Sequence, residues 1–572
     1  MSLAWRFRPS GDTARSKTHR GCWAGLACCL QGLLLVAAVE GQAAVPVWSF
    51  EGDQPSAHFG FSVCSAGDVN GDGYSDVLVG APDNDNGQTD EGTAYLFLGS
   101  PAGPSLVPAW TQEGNQPGAH FGSSVASAGD VNRDGYSDVL VGAPAYDDGQ
   151  EDEGAVFLYL GSPGGLSSAP ARTWQGGQAG GRFGSSVGCA GDVNVDGFDD
   201  VLVGAPGFDA GESDEGVAFL FLGTASELPS VPAWLAEGNQ AGASFGSSVA
   251  GLGDLNGDGF GDVVIGAPLF DGGIADEGQA RVFGGTSSGL GASPLQSVQA
   301  SRAGAHFGHS VAGSGDLTGS GGLRILFGAP NYVYTHPEEG GTFLGLLGQL
   351  PFFLDFGRQD FAHRGVSIAS AGDVNADGRR DVVIGADLFD DGEEDEGRVT
   401  VHLGDAGFVV DRTPTWIADG NQPFCAFGFS VASAGDVNGD GYDDVVVGAP
   451  QYDRGQTDEG RAFVFLGPSG VVTGAEGGPR APEQSRIQLF PSPSSEIVFV
   501  QGERLASQDI LVARLYDLQG RLVHSTSIGK ATNGFIRTSI STKELATGVY
   551  FVKLAGENGV PVGPARRMVV VR

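Results

Sequence analysis

The sequence predicts an all-β fold, a seven-bladed β-propeller of four-stranded blades followed by a small C-terminal β-sandwich. One acidic segment recurs at near-constant spacing along most of the chain. Short runs of β-branched and aromatic residues stand between glycine, proline and aspartate, and no segment keeps a helical period. Glycine supplies 97 of 572 residues without a Gly-X-Y period, so it indicates many tight turns rather than collagen.

The repeated acidic segment first reads Asp68-Val-Asn-Gly-Asp-Gly-Tyr-Ser-Asp76. Complete copies begin again at Asp130, Asp192, Asp254, Asp373 and Asp436, and a damaged copy begins at Asp316. Successive copies start 62, 62, 62, 62, 57 and 63 residues apart, which defines seven units. Seven units of one supersecondary structure predict a ring.

Each unit contains the same parts in the same order. A Phe-Gly pair such as Phe59-Gly60 precedes a first strand and the acidic loop. An apolar run ending in Gly-Ala-Pro and an acidic stretch ending in Asp-Glu-Gly follow, and two further strands complete the unit. The second and third strands are apolar on consecutive residues, which predicts burial on both faces between neighbouring blades. The seventh unit lacks a fourth strand, so we expect Val45–Phe50 to supply it and to close the ring.

The first 43 residues have the plan of a secretory signal peptide. A basic start is followed by an apolar stretch of 17 residues from Trp23 to Val39, and Gly41-Gln-Ala43 resembles a cleavage site. An uncleaved membrane anchor is the alternative, although this stretch is at the short limit for spanning a bilayer. We expect cleavage of residues 1–43 and no membrane span afterwards.

Charge and cysteine content exclude two classes of protein. The chain carries 69 acidic and 31 basic residues, whereas nucleic-acid binding needs a basic surface. Beyond the leader only Cys64, Cys189 and Cys425 remain, so a disulfide framework is not predicted. Bound metal is therefore the better candidate for stabilising the protein outside the cell.

A unit that combines Phe-Gly, the acidic loop and Gly-Ala-Pro resembles the FG-GAP repeats of integrin α-subunit propellers and their bacterial relatives. The resemblance covers Val45 to Gly467 and implies a seven-bladed propeller over 45–467. It implies that the acidic loop joins the first two strands on the lower face and holds calcium, and that ligands bind on the upper face. The inserted adhesion domain of some integrins is not expected, because no unit is long enough to contain it.

Two units depart from this family pattern. In unit five the loop reads Asp316-Leu-Thr-Gly-Ser-Gly-Gly-Leu-Arg324, with neutral residues and an arginine where acids belong. We expect that loop to hold no metal. Unit six has Arg364-Gly365 in place of Phe-Gly and Gly385-Ala-Asp387 in place of Gly-Ala-Pro.

The six complete loops carry the oxygen donors that calcium prefers. In the first copy Asp68, Asn70 and Asp72 offer side-chain oxygens, Tyr74 its backbone carbonyl, and Asp76 closes the shell. An acidic turn without metal is the alternative, because Asn and Asp favour turns, but close carboxylates repel one another without a cation. The predicted ligands of about six Ca²⁺ ions are Asp68, Asn70, Asp72, Tyr74, Asp76, Asp130, Asn132, Asp134, Tyr136, Asp138, Asp192, Asn194, Asp196, Phe198, Asp200, Asp254, Asn256, Asp258, Phe260, Asp262, Asp373, Asn375, Asp377, Arg379, Asp381, Asp436, Asn438, Asp440, Tyr442 and Asp444.

The acidic loops after Gly-Ala-Pro belong to the opposite face of a propeller. A solvated, repulsive surface is the simpler interpretation, and a site for cations or a basic ligand is the alternative. In unit five, Tyr332, Tyr334 and His336 place aromatic groups on this rim, where they would stack on sugars or peptides.

Residues 486–572, beyond a Gly/Pro-rich linker at 468–485, are predicted to form the small β-sandwich. Phe490-Pro-Ser-Pro, Tyr516–Arg521 and Met568–Arg572 resemble the C-terminal sorting domain of type IX secretion cargo, an address read by the export machinery. The family usually has Tyr-Pro-Asn-Pro where this chain has Phe-Pro-Ser-Pro. An ordinary sandwich that binds another ligand is the alternative.

We expect a secreted or cell-surface binding or adhesion module with structural calcium and an extracellular protein or glycan ligand. A propeller-based hydrolase is one alternative, but no Ser-His-Asp arrangement, His-rich metal set or phosphate loop is present, so an enzyme is not predicted. His58, His120 and His306 each precede a Phe-Gly pair, and their repetition indicates a structural role. A structural surface or matrix component is the other alternative.

Overall fold

The computed structural model describes residues 42–225, 228–405, 409–410 and 413–467, together with seven strands between 486 and 570. The chain divides into two compact units at a boundary between residues 472 and 473. Most of the predicted leader and the whole predicted linker, 468–485, lie outside the described residues.

The described strands are numbered here in chain order. The first unit contains β1 (Gln42–Ala43), β2 (Trp48–Glu51), β3 (Ser62–Gly67), β4 (Asp76–Ala81), β5 (Thr93–Phe97), β6 (Trp110–Glu113), β7 (Ser124–Gly129), β8 (Asp138–Ala143), β9 (Ala155–Tyr159), β10 (Arg172–Gln175), β11 (Ser186–Gly191), β12 (Asp200–Ala205), β13 (Val217–Phe221), β14 (Trp234–Glu237), β15 (Ser248–Gly253), β16 (Asp262–Ala267), β17 (Gln279–Phe283), β18 (Gly285–Thr286), β19 (Gly289–Leu290), β20 (Gln296–Gln299), β21 (Ser310–Gly315), β22 (Arg324–Ala329), β23 (Gly341–Gly345), β24 (Phe352–Phe356), β25 (Ile368–Gly372), β26 (Asp381–Ala386), β27 (Arg398–His402), β28 (Gly404–Asp405), β29 (Val409–Val410), β30 (Trp416–Asp419), β31 (Ser430–Gly435), β32 (Asp444–Ala449) and β33 (Arg461–Phe465). The second unit contains β34 (Arg486–Pro491), β35 (Ile497–Glu503), β36 (Ile510–Tyr516), β37 (Leu522–Lys530), β38 (Ile536–Ser541), β39 (Gly548–Gly556) and β40 (Arg566–Val570).

Seven antiparallel blades form a closed ring in the described part of the first unit, as the sequence predicts. Each blade pairs four strands in the order inner, second, third and outer, for example β3-β4-β5-β6. The inner strand β3 contacts both β7 of the next blade and β31 of the last, which closes the ring. The second strands are buried at every position except Arg324, because neighbouring blades cover both of their faces.

The N-terminal segment joins the last two blades. Trp48–Glu51 pairs antiparallel with β33 and supplies the outer strand of blade seven, which confirms the predicted closure. Gln42 and Ala43 add a fifth, parallel strand to the outer edge of blade six, opposite Trp416 and Ile417. These two residues, assigned from sequence to the end of the leader, therefore belong to a propeller sheet in this structure.

The Phe-Gly and Gly-Ala-Pro motifs meet at the boundary between successive blades. The Phe121 ring is fully buried and stacks edge-on against Phe157 of its own third strand, 5.3 Å between centroids. The glycine of Gly-Ala-Pro in blade one, Gly80, touches Gly122 of blade two so closely that a Cβ there would lie 2.0 Å from the Gly122 carbonyl oxygen. The motif glycines are therefore required by close approach between blades.

Tryptophans on the outer strands join neighbouring blades at the end away from the Phe-Gly and Gly-Ala-Pro motifs. The Trp48 indole Nε1 donates to the Ser105 carbonyl in the next blade at 3.0 Å, and Trp110 donates to Ser167 at 2.9 Å. Trp174 and Trp234 repeat the contact with Pro229 and Gly291. The tryptophans of the outer strands thus form hydrogen bonds between neighbouring blades.

Unit five forms a four-stranded blade despite its damaged loop. β21 to β23 pair as in the other units, and the pairing of β23 with β24 contains a register shift at Thr342 and Phe343. In most other blades the Phe of Phe-Gly packs against aromatic rings of the third strand, and in blade six polar groups occupy these places. The Arg364 guanidinium is buried and lies 2.8 Å from Asp355 of blade five, 2.6 Å from Thr400 and 3.1 Å from His402. A buried, hydrogen-bonded ion pair therefore connects blades five and six.

In six of the seven units a glutamine joins the segment that enters the blade to the second loop of the same blade. The Gln116 amide donates to the Asp147 carbonyl at 2.7 Å and accepts from the Asp147 N–H at 2.6 Å. The same two-way contact joins Gln54 to Asp85, Gln178 to Asp209, Gln240 to Asp271, Gln359 to Asp390 and Gln422 to Asp453. Unit five has Arg302 at this place instead.

Replacing Gln116→Ala is expected to lower the free energy of unfolding by about 1–2 kcal/mol, because two hydrogen bonds to loop backbone are lost. Chemical denaturation in calcium buffer measures the change. The control is Thr111→Ala on the exposed face of β6, which should stay within about 0.5 kcal/mol. Equal effects of the two variants would contradict the structural role of the glutamine.

The second unit contains two antiparallel sheets in its described part. β34, β35 and β38 form a three-stranded sheet, and β37, β36, β39 and β40 form a four-stranded sheet. This all-β arrangement agrees with the predicted fold class.

Candidate functional site

The six complete acidic loops lie at one end of the blades, where each joins a first strand to a second. The loop of blade one leaves β3 at Gly67 and re-enters the sheet at Asp76, the first residue of β4. The same connection follows β7, β11, β15, β25 and β31. The loops after Gly-Ala-Pro join second to third strands, and therefore lie at the opposite end.

Each loop is folded around the carboxylate of its first aspartate. Asp68 Oδ1 accepts the backbone N–H groups of Gly71 and Asp72 at 2.7 and 3.1 Å, and Oδ2 accepts that of Gly73 at 2.8 Å. Asn70 Oδ1 in turn accepts the Asp72 N–H at 2.9 Å. The alternating Asp-Asn-Asp pattern thus places its side-chain oxygens inside one tight turn.

The ninth-position aspartate is buried under this turn. Asp76 has no exposed surface, and its carboxylate accepts the Val69 and Gly99 N–H groups at 3.0 and 2.8 Å. The pKa of Asp76 is raised to about 7, mainly by burial; the two hydrogen bonds act against this rise, and the nearby Asp72 and Asp68 carboxylates contribute to it. The pKa is likewise raised to about 7 at Asp138, Asp200, Asp381 and Asp444, and is raised at Asp262.

The loops fit a hard cation by their donor chemistry. An ionised carboxylate offers about four lone-pair sites, and the two backbone bonds at Asp76 leave acceptor capacity unused. The described structure shows no ion pair to any of the six ninth-position aspartates, so no basic side chain offsets their buried charge. Within the described ranges, no three His, Cys, Asp or Glu side chains already converge as a metal site.

The loop of unit five differs in the structure as well as in sequence. Asp316 Oδ1 accepts from the Thr318 N–H and hydroxyl, both at 3.0 Å, and Oδ2 accepts from the Gly321 N–H at 2.5 Å. Arg324, in the ninth position, donates to the Leu323 carbonyl at 2.8 Å. This loop therefore has a guanidinium group where the other six have a buried carboxylate.

The loops after Gly-Ala-Pro, at the other end of the blades, contain buried acidic side chains that the sequence did not indicate. Glu215 of Asp-Glu-Gly is buried, and its carboxylate accepts the N–H groups of Ala210 and Glu212 at 2.9 Å and of Asn239 at 2.7 Å. Every one of the seven glutamates at this place is buried. Sequence reasoning missed this role and that of the glutamines, although both residue types recur at fixed offsets from Phe-Gly.

The aromatic residues predicted on the rim of unit five separate into two groups. Tyr332 is 6% exposed and packs against Phe343 and Phe353, so the prediction of a ligand contact is wrong for Tyr332. Tyr334 is 53% exposed. His336 Nδ1 lies 2.9 Å from Asp360 Oδ1, and it remains on the surface.

Two of the repeated histidines share one carboxylate. His58 Nδ1 lies 2.5 Å from Asp83 Oδ2, and His120 Nδ1 lies 2.6 Å from Asp83 Oδ1. The hydrogen bond to Asp83 raises the pKa of both histidines. Burial acts to raise the pKa of Asp83, but the bonds from His120 and His58 lower it to about 2. The contacts connect successive blades and agree with a structural role.

Two family models match the chain. The FG-GAP repeat matches residues 59–97, 121–159, 183–221, 245–283, 365–402 and 427–465. The secretion system C-terminal sorting domain matches residues 488–565. Unit five, whose loop lacks the acidic pattern, is outside the FG-GAP matches although it forms a blade.

Integrin α subunits are similar to part of the propeller. The chain is 34% identical over 220 residues to integrin alpha-5 of Xenopus laevis. This match covers 37% of this chain and 20% of that protein. It is 40% identical over 164 residues to integrin alpha-IIb of Homo sapiens, covering 27% and 15% respectively. It is 37% identical over 182 residues to integrin alpha-PS5 of Drosophila melanogaster, and this match covers 30% of this chain and 17% of that protein. The matches thus span at most a fifth of these relatives' own length.

Proposed function

The chain is an FG-GAP repeat β-propeller protein with a secretion-system C-terminal sorting domain, and from this we propose that it is an extracellular binding module stabilised by calcium. The single observation that carries the proposal is the sixfold acidic loop with a fully buried carboxylate that has no basic partner among the described residues. An adhesion role at the cell surface is the form of binding that we favour.

The sorting domain makes the protein an exported one, either secreted or held at the cell surface. The export machinery is therefore one partner, through residues 488–565. In the described part of the chain, no helix has the length and apolar character that a membrane span requires.

We propose that calcium is bound by the six complete loops through the residues named from the sequence. In blade one these are the side chains of Asp68, Asn70, Asp72 and Asp76 and the carbonyl of Tyr74. The carboxylate and amide oxygens suit a hard cation, and the buried Asp76 charge supports a bound cation more than an empty turn. Bound calcium would stabilise the folded ring, since the unfolded chain has no preformed site.

We propose that the unit-five loop binds no calcium. Thr318 and Ser320 offer neutral hydroxyl oxygens, and these two hydroxyls lie 2.6 Å from each other. The Arg324 guanidinium brings a positive charge to the ninth position, where it would repel a divalent cation. The first two strands of this blade pair in the same register as in the other units.

A binding role fits the upper-face chemistry better than hydrolysis. The recurring glutamates of Asp-Glu-Gly accept hydrogen bonds from loop backbone, as Glu215 does from three N–H groups, and are not set as an acid and base pair. The loops are rigid frames on which neighbouring side chains differ between units. Such surfaces are typical of recognition rather than of catalysis.

The domain limits also remain a proposal. We propose a leader within the 1–43 predicted from the sequence, a propeller over 45–467, a linker over 468–485 and a sorting domain over 486–572. The pairing of Gln42 and Ala43 with blade six favours a mature chain that keeps these two residues. Mass spectrometry of the exported protein would locate the cleavage.

The ligand is best sought with the exported protein in 2 mM calcium on a glycan and protein array. We expect specific binding that is lost when the same protein is assayed in excess EDTA and returns when calcium is restored. Equal binding with and without calcium would contradict a calcium-dependent module. Turnover of a bound glycan would favour a hydrolase instead.

A further inference from the structure

An apolar cavity lies between blades six and seven, at the end of the blades that carries the acidic loops. It reaches Gly467, the last described residue of the propeller. An apolar side chain is the occupant that such a lining favours, since it offers water few hydrogen bonds. Both blades contribute to the lining, which includes Val374, Val401, Leu403, Trp416, Phe465 and Leu466.

At other boundaries between blades, one residue from the loop after the third strand takes the corresponding place. In blade two this is Leu166, which packs against the cluster that contains Trp110 and Tyr159. The same loop supplies a buried residue in blades three, four and six, namely Leu228, Leu290 and Val410. These side chains close the contact between neighbouring blades at this end.

The spacing of these residues in the repeat identifies their counterpart in blade seven. Leu290 lies five residues after Gly285, and the two face each other in a short hairpin. Leu166 keeps the same spacing from the glycine that follows its third strand. The corresponding glycine of blade seven is Gly467, and the fifth residue after it is Val472. Val472 is therefore the counterpart of the buried leucines.

A hydrogen bond from the outer strand accompanies each of these contacts. The Trp110 indole donates to the Ser167 carbonyl, 57 residues further along the chain. Ser167 directly follows Leu166, so the buried side chain and the acceptor belong to one short segment. Trp48 and Trp234 make the same bond at the same separation.

Trp416 holds this position on the outer strand of blade six. Its ring packs edge-on against Phe465 of blade seven, with 4.8 Å between the centroids. Within the described residues its indole N–H has no acceptor, whereas such groups usually have one at a contact between elements. The residue 57 places after Trp416 is Thr473, which directly follows Val472.

We propose that residues 471–473 dock on this cavity, so that the Val472 side chain fills it and the Thr473 carbonyl accepts the Trp416 N–H. The segment begins four residues after Gly467, which itself lines the cavity. Burial of Val472 stabilises the contact between blades six and seven. The propeller then ends at Thr473, and the linker predicted at 468–485 is free only from 474 onward. This inference goes beyond the proposed binding function and does not rest on it.

The short tether favours this segment over a second copy of the chain. A connection of a few residues gives an effective concentration on the order of millimolar, which a second molecule in dilute solution does not reach. The other boundaries also take their buried residue from the same chain, as blades two and four do.

The test uses the full exported protein in 2 mM calcium and measures the reaction of one added thiol with dithionitrobenzoate. Val472→Cys places the thiol in the cavity. Ser469→Cys is the matched control in the same segment, because its counterparts Pro163 and Ser287 are exposed. We expect the thiol at 472 to react about tenfold more slowly than the thiol at 469, since it must first leave the cavity.

The wild-type protein supplies the background rate. Burial raises the pKa of its thiols at Cys64, Cys189 and Cys425 to about 12, so these react slowly.

A second substitution connects the protection with the cavity. Trp416→Phe keeps an aromatic ring in the lining but removes the indole N–H. In the Val472→Cys protein it should raise the rate at 472 about fivefold, because one hydrogen bond that holds the segment is lost. The rate at 469 in the Ser469→Cys protein should stay the same.

Three results would overturn the inference. Equal rates at 472 and 469 would show that the segment does not dock in this register. A rate at 472 that Trp416→Phe leaves unchanged would assign the protection to another surface. Protection that disappears on dilution would assign the cavity to a second copy of the chain. Calcium is constant and no ligand is present in these measurements, so their failure would leave the proposed function standing.

Discussion

Excess EDTA is expected to lower the midpoint of thermal unfolding of the exported protein by roughly 10–20 °C relative to 2 mM calcium. A ligand at about one hundred times its Kd stabilises a folded protein by about 2.7 kcal/mol per site. Six sites of that strength would act together, and removal would also leave the six buried aspartates without a compensating cation. Differential scanning calorimetry with back-titration of calcium measures the shift.

Matched variants separate a metal effect from a general effect of EDTA. Asp72→Ala removes a proposed ligand, so it should cost more stability in calcium than in EDTA. Asp316→Ala alters the unit-five loop, and its cost should be the same in both buffers, because no ion is expected there. An unchanged midpoint on chelation, or a calcium-dependent effect of Asp316→Ala, would contradict the proposed distribution of sites.

Arg364→Ala is expected to destabilise the propeller by about 3–5 kcal/mol, the second large effect. The substitution removes the nearest cation to Asp355, which is 8% exposed between blades five and six, and leaves it only the longer contacts to Arg358 at 3.4 Å and His402 at 3.9 Å. It also removes the donor to Thr400 and His402. Equilibrium unfolding in denaturant at constant calcium measures the loss.

The control is a second variant in which apolar residues, like those of the other blades, replace the polar network of blade six. The combined variant gives blade six aromatic residues, as most other blades have at these places, through Arg364→Phe, Thr400→Phe and His402→Phe. Asp355→Leu then replaces the remaining carboxylate of the network with an apolar group. We expect it to recover most of the lost stability, since well-packed apolar groups are commonly as stable as a buried ion pair. A loss below about 1 kcal/mol for Arg364→Ala would mean that water or a neighbouring group replaces the guanidinium.

The spacing of the repeat was sufficient to predict the ring. Seven units with consecutive apolar strands require burial between neighbours, and the orphan segment at Val45–Phe50 had one open edge to fill. The structure confirms that β2 pairs with β33. Unit five was also predictable as a blade, because its strands keep the apolar pattern although Thr318 and Ser320 interrupt the acidic loop.

Contacts between units were less predictable, because a repeat pattern does not show which side chain meets which. The substitution at Arg364 was visible in the sequence, but its partner Asp355 comes from the preceding blade. Acidity alone indicated a solvated loop at Asp-Glu-Gly, whereas Glu215 turns inward to backbone N–H groups. Tyr332 was predicted on the rim because it lies in a loop, yet it is buried against Phe343.

The most direct measurement is an anomalous difference map from crystals of the exported protein grown in millimolar calcium. The account predicts six peaks, one inside each loop that begins at Asp68, Asp130, Asp192, Asp254, Asp373 and Asp436, and no peak at Asp316. Six loops without a peak at that calcium concentration would contradict the calcium assignment, and a peak at Asp316 would contradict the exclusion of unit five.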